Sequence, residues 1–135
     1  MDTNTPEFDK LRTLSQTRVE NFLKGHKKAT EFIMSIMLVF HAFDDLIDKD
    51  VKLTDDEIYE TLWVVMVDLP LHSFYRDNFQ VLHPLVVNAL VNWRTANVLE
   101  STSSPEDKEI SYVLRSTFVD ILTISALIIG GREWV

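Results

Sequence analysis

Three aspartates, Asp44, Asp45 and Asp48, follow His41 at the end of an apolar run from Phe32 to Phe43. At 3.6 residues per turn His41, Asp45 and Asp48 stand at i, i+4 and i+7 with Asp44 beside them, so one helix face carries all four. Carboxylates in the last turns of a helix meet the negative end of its macrodipole, at a cost of roughly several tenths of a kcal/mol each. A hard divalent cation held by carboxylate oxygens would offset that cost, and so would water if the row simply emerges from the core. The oxygen donors, in a chain without cysteine, point to Mg²⁺ or Mn²⁺ over zinc.

A second group of polar residues lies further on. Asn88 and Asn92 repeat at i and i+4 within VVNALVNW, and Glu100 follows two turns later. Asparagine is a poor residue for a helix interior, so two on one face imply a polar task, either an inter-helix hydrogen bond or contact with a ligand. Arg94 and Arg115 are the basic candidates for gripping an anion. Arg115 and Asp120 are five residues apart, too far round a helix to pair, so each is expected to find a partner on another helix. The loop from Asp48 does not form a calcium hand: Lys52 at position 5, Leu53 where glycine is needed and Tyr59 at position 12 exclude it.

Helices must position these groups. Three glycines and four prolines in 135 residues leave long uninterrupted segments, which argues for an all-α chain. Met1 to Thr5 is polar and expected to be loose, and Pro6 opens a helix presenting Phe8, Leu11, Leu14, Val19, Phe22 and Leu23 that Gly25 ends or bends. The second helix, about His26 to Lys49, is apolar nearly all round between Ile33 and Val39 and is expected at the centre of the fold. Thr54-Asp55-Asp56-Glu57 is a capping box, and the helix after it should bury Ile58, Leu62, Val65, Met66 and Leu69 and stop at Pro70. Leu71 to His83 reads as a short helix or ordered loop. Pro84 suits the first position of a fourth helix reaching Glu100, and Ser104-Pro105-Glu106-Asp107 opens a fifth that Gly130-Gly131 closes. The expected fold is one all-α domain, 1–135, a bundle of about five main helices. Because the second helix needs more cover than its neighbours supply, a homodimer is expected.

Charge narrows the partners. A net charge of −8, with no basic cluster beyond Lys24, Lys27 and Lys28, disfavours nucleic acid and anionic membrane surfaces. The runs Phe32 to Phe43 and Val119 to Ile129 fall short of the roughly 20 residues that span a bilayer, and MDTNTPEF lacks the basic and apolar regions of a secretory signal. A soluble, cytoplasmic protein is expected.

Phe43-Asp44-Asp45-Leu46-Ile47-Asp48, an aromatic residue followed by DDxxD late in an apolar helix, resembles the aspartate-rich motif of the isoprenoid synthase family, the trans-prenyl diphosphate synthases and class I terpene synthases. The resemblance implies that Asp44, Asp45 and Asp48 bind magnesium ions that hold a substrate diphosphate and assist its departure from an allylic carbon. Asn92 and Glu100 match the first and third positions of that family's second metal motif, with Ala96 where it carries a hydroxyl. Asn88, Asn92, Arg94, Glu100 and Arg115 would then contact a small-molecule diphosphate with an apolar tail. Two other readings compete. The acidic row followed by Glu60 and Asp68 is similar to the carboxylate sets of all-α nucleotide pyrophosphohydrolases of the MazG and dimeric dUTPase kind. A non-catalytic helical interaction protein would use the row only as a solvated or partner-binding surface.

Overall fold

The computed structural model describes residues 16–49, 51–102 and 104–135. Every regular element among them is helical, so the all-α class holds. The readings for Met1 to Thr5 and for the first helix from Pro6 through Phe8, Leu11 and Leu14 lie outside the described residues. The chain forms two compact units that divide between Asp77 and Asn78.

In the first unit, α1 (residues 16–22) ends where Lys24 and Gly25 adopt positive φ, 56° and 73°, and Gly25 N–H donates to Glu20 O at 2.8 Å. This left-handed exit satisfies carbonyls that a helix end would otherwise leave bare. The next helix, α2 (Lys27–Asp48), starts at His26, whose Nδ1 accepts from Ala29 N–H at 3.1 Å in the role that serine or aspartate usually fills. Its buried residues, Ala29, Thr30, Phe32, Ile33 and Ile36, all lie in its first half. That corrects the expectation of an element covered along Phe32 to Phe43. Met37, Val39, Phe40 and Phe43 are half-buried and Leu38 is exposed, whereas the aromatic rings of the unit meet α2 near its beginning, at Phe32.

Phe32 is the centre of this core. It is fully buried, with the rings of Tyr75 and Phe74 at 5.1 and 5.8 Å and that of His72 at 6.1 Å. A buried phenylalanine stabilises by about 2–3 kcal/mol through area alone, and tilted ring pairs add about 0.5–1.5 kcal/mol each. Tyr75 and Phe74 come from α5 (Ser73–Asp77). The hydroxyl of Tyr75 is pushed above its usual range by burial.

The helix α3 (Asp55–Trp63) begins with the expected box: Thr54 Oγ1 accepts from Glu57 N–H at 3.1 Å and Glu57 Oε1 accepts from Thr54 N–H at 3.2 Å. Its continuation departs from the expectation. The helix widens into a π turn over Val64–Asp68, runs on as α4 (Leu69–Leu71) through Pro70, and ends at His72. Leu69 N–H donates to Val64 O, five residues back. The extra residue in that turn shifts the helical phase. Thr61, Val64 and Leu69 are therefore buried and Ile58 is half-buried, while Leu62, Val65 and Met66, expected inside, are exposed.

The second unit is a helical hairpin. Its first arm, α6 (Phe79–Glu100), starts five residues before Pro84, which sits inside the helix and not at its first position. Pro84 cannot donate to Gln80 O, but both residues are exposed, so water can take the vacated acceptor. The rings of Phe79 and His83 stack at 4.4 Å across the same turn. The second arm is α7 (Pro105–Arg115), a 3₁₀ turn (Ser116–Phe118) and α8 (Val119–Gly130). Ser104 caps it by accepting from Asp107 N–H, and Gly131, at φ 74°, closes it with a bond to Leu127 O. A side chain at Gly130 would strike Trp134 at 2.7 Å, so glycine there lets the C-terminal turn fold back.

The buried residues of α6 are Leu82, Ala89 and Ala96, spaced by seven. Ala96 is met by Ser111 of α7, also fully buried, whose hydroxyl donates to Ala96 O at 3.2 Å. Two small residues at this point let the helix backbones approach closely. Ile121, Ser125 and Ala126 of α8 complete the core, with Ser125 Oγ donating to Ile121 O at 2.7 Å.

Candidate functional site

The acidic row belongs to the first unit and the Asn, Arg and Glu set to the second. Asp44 and Asp48 lie one turn apart near the end of α2, with Asp45 beside them. Asp44 and Asp45 are half-buried, and Asp48 and His41 are exposed. The last turn of α2 holds no basic residue, and the helix closes at Lys49, whose N–H donates to Asp45 O at 2.9 Å with φ 59°. Among the described residues no group of three or more His, Asp or Glu side chains is placed to hold a metal ion.

The second unit contains the best-built polar cluster. Glu100, in the last turn of α6, receives Arg115 of α7 in a two-pronged pair: Nε donates to Oε1 and Nη2 to Oε2, both at 2.7 Å. The single proton of Ser111 Oγ is shared between Ala96 O and Glu100 Oε1, the latter at 3.0 Å, and Arg115 Nη2 donates to Asn97 Oδ1. The Arg115 hydrogen bonds hold the Glu100 carboxyl below its usual range, with burial acting the other way and Ser111 and the Arg115 charge adding to the lowering. The planar guanidinium suits this bidentate grip and fixes the two arms of the hairpin in register.

That geometry assigns several of the sequence candidates to internal work. Glu100 and Arg115 hold each other. Asn92 is half-buried and its Nδ2 donates to Thr117 Oγ1 at 2.9 Å, so its polar task is an inter-helix bond to the 3₁₀ turn. Asn88 and Arg94 are exposed on α6.

The surface features that sequence reasoning missed are apolar. On α6 the side opposite Leu82, Ala89 and Ala96 carries Val87, Leu90, Val91 and Val98, all 45–56% exposed, with Arg94 among them. On α3 and the π turn Tyr59, Leu62, Trp63 and Met66 form a second exposed stripe. The α6 signal is readable in the sequence, since Val87, Leu90, Val91 and Val98 fall at i, i+3, i+4 and i+11. It is masked because the opposite face is apolar too.

One helix among those described, Pro105–Gly130 of 26 residues, is long and apolar enough to cross a membrane by length and composition alone, although Arg115 and Asp120 interrupt it. Comparison with family models, with curated proteins and with solved structures finds no match to this chain.

Proposed function

We propose that this chain is a helical interaction protein, which self-associates as a homodimer through the outer face of α6. The observation that carries the reading is the second apolar stripe of that helix: Val87, Leu90, Val91 and Val98 are exposed opposite the face that packs on α7. The net charge of −8 does not oppose pairing there, because Arg94 and Glu100 are the only formal charges on α6. Covering four half-exposed aliphatic side chains contributes about 1 kcal/mol each, hence about 8 kcal/mol over two copies. The entropic cost of association is of similar size, about 4–15 kcal/mol, so the dimer should be weak and reversible. Sedimentation equilibrium tests this. The chain should show concentration-dependent dimerisation, and Leu90→Glu with Val91→Glu should return it to a monomer of unchanged helicity. A wild-type monomer at high concentration, or dimerisation indifferent to the two glutamates, removes the reading.

A second reading, Mg²⁺-dependent capture of a diphosphate with an apolar tail, is supported by Asp44 and Asp48 standing one turn apart at the end of α2. Calorimetry with Mg²⁺ and Mn²⁺, with and without pyrophosphate, tests it. Binding abolished by Asp44→Asn with Asp48→Asn supports the site, and its absence leaves the row a solvated helix end.

A further inference from the structure

The exposed stripe on α3 has features that the α6 face lacks. Tyr59, Leu62, Trp63 and Met66 fall at i, i+3, i+4 and i+7 and are 66, 47, 48 and 72% exposed. That is the spacing by which an amphipathic helix lays anchors into a groove. Tryptophan and tyrosine are the residues most often found to dominate such contacts. The anchors are also held ready. Asp68 lies five residues beyond Trp63, and the π turn brings its Oδ1 under the indole, which donates from Nε1 at 3.1 Å. The ring of Tyr59 lies against that of Trp63, with centroids 6.4 Å apart. The capping box fixes the start of the same helix. A side chain fixed before binding loses less entropy on binding.

Charge identifies the occupant. From Leu53 to Tyr75 the chain has Asp55, Asp56, Glu57, Glu60 and Asp68 and no lysine or arginine. A second copy would bring the same acidic border against itself, and anionic lipid headgroups would repel it. An apolar groove bordered by Lys or Arg complements both the stripe and its rim. We propose that α3 is a docking helix whose Tyr59, Leu62, Trp63 and Met66 enter an apolar groove, rimmed by basic side chains, on a partner protein. The inference rests on the reading of the chain as an interaction protein and adds the nature of the partner.

The experiment is a display selection against the full chain. The library is a designed three-helix scaffold with one groove, whose floor varies over apolar residues and whose rim varies over Lys, Arg, Glu and Ser. The expected winners carry Lys or Arg rims, weaken as salt is raised, and lose about thirtyfold or more in affinity against Trp63→Ala and against Met66→Glu, the loss typical of a dominant anchor. Both side chains are exposed, and circular dichroism confirms that each variant is folded. Winners without a basic rim, winners indifferent to both α3 variants, or a library that yields no saturable binder overturn the proposal. So does transfer of Trp63 into neutral phosphatidylcholine vesicles, which would assign the stripe to lipid. Sedimentation of the same preparations separates the two levels. Dimerisation through α6 without scaffold binding defeats only the α3 inference, whereas loss of both defeats the interaction-protein reading with it.

Discussion

Replacing Arg115 by alanine should loosen the hairpin of the second unit by about 1–2 kcal/mol. Arg115 makes two 2.7 Å bonds to Glu100 and a bond to Asn97 Oδ1. Hydrogen bonds to charged groups are worth about 1.5–3 kcal/mol when shielded. Glu100 keeps 46% and Arg115 28% of side-chain exposure, so water competes and the pair falls towards the 0.2–1 kcal/mol or so of an exposed ion pair. Leaving Asn97 without this donor, in a residue whose Nδ2 is already buried and unpaired, adds about 1 kcal/mol. Thermal unfolding followed by circular dichroism should register this as a fall on the order of 5–10 °C. The pH dependence provides a second arm. Because the folded carboxyl of Glu100 is held below its ordinary value of 4.5, its contribution is complete above that value and is lost as the pH falls through the lower folded value. The stability gap between the wild type and Glu100→Gln should therefore be level near neutrality and close in acid. A gap that persists unchanged in strong acid, or a Glu100→Gln, Arg115→Ala double variant whose loss equals the sum of the single losses, would refute the bridge as an energetic unit.

Two further outcomes follow from the first unit. His72 is nearly buried and its ring nitrogens have no hydrogen-bond partner; Nε2 comes within 3.4 Å of Glu31 Oε2 but outside hydrogen-bond geometry. His72→Phe should therefore be neutral or stabilising by about 1 kcal/mol in urea titration, and a loss of similar size would show that the Glu31 contact matters. Lys49 closes α2 at φ 59°, ψ 20°, a conformation that burdens any residue with a Cβ. Lys49→Gly should raise the unfolding midpoint by an amount equivalent to about 0.5–1 kcal/mol, and no gain would mean that the added freedom of the unfolded chain cancels the relief.

The parts of the fold that were legible in the sequence are those decided locally. Thr54 and Glu57 need only each other to begin a helix, Gly25 and Gly131 need only their positive φ to end one, and Ser104 caps with its own oxygen. The failures share a different cause. Nothing in DDEIYETLWVVMVDL announces a π turn, because the extra residue is accommodated by the burial of Val64 and Leu69 against the rest of the unit. One such slip moves Leu62 and Met66 from the expected interior to the surface. Pro84 misled for a related reason: its missing donor matters little where Gln80 faces water, and only the packing of Leu82 decides that the helix begins earlier.

The site was legible to the same limit. Spacing placed His41, Asp44, Asp45 and Asp48 together near the end of one helix, as they stand in α2, and denied Arg115 an intrahelical mate, as its grip on Glu100 bears out. It could not name Glu100 as the partner, since that choice depends on Ala96 and Ser111 being small enough to bring α6 and α7 together. The consequence for function is direct. An arginine and a glutamate that grip each other across a hairpin must break two charge-assisted bonds before either can serve a ligand, whereas Tyr59, Trp63 and Met66 need break no comparable ion pair. On that difference the apolar faces, and not the charged cluster, are the surfaces with binding energy still to give.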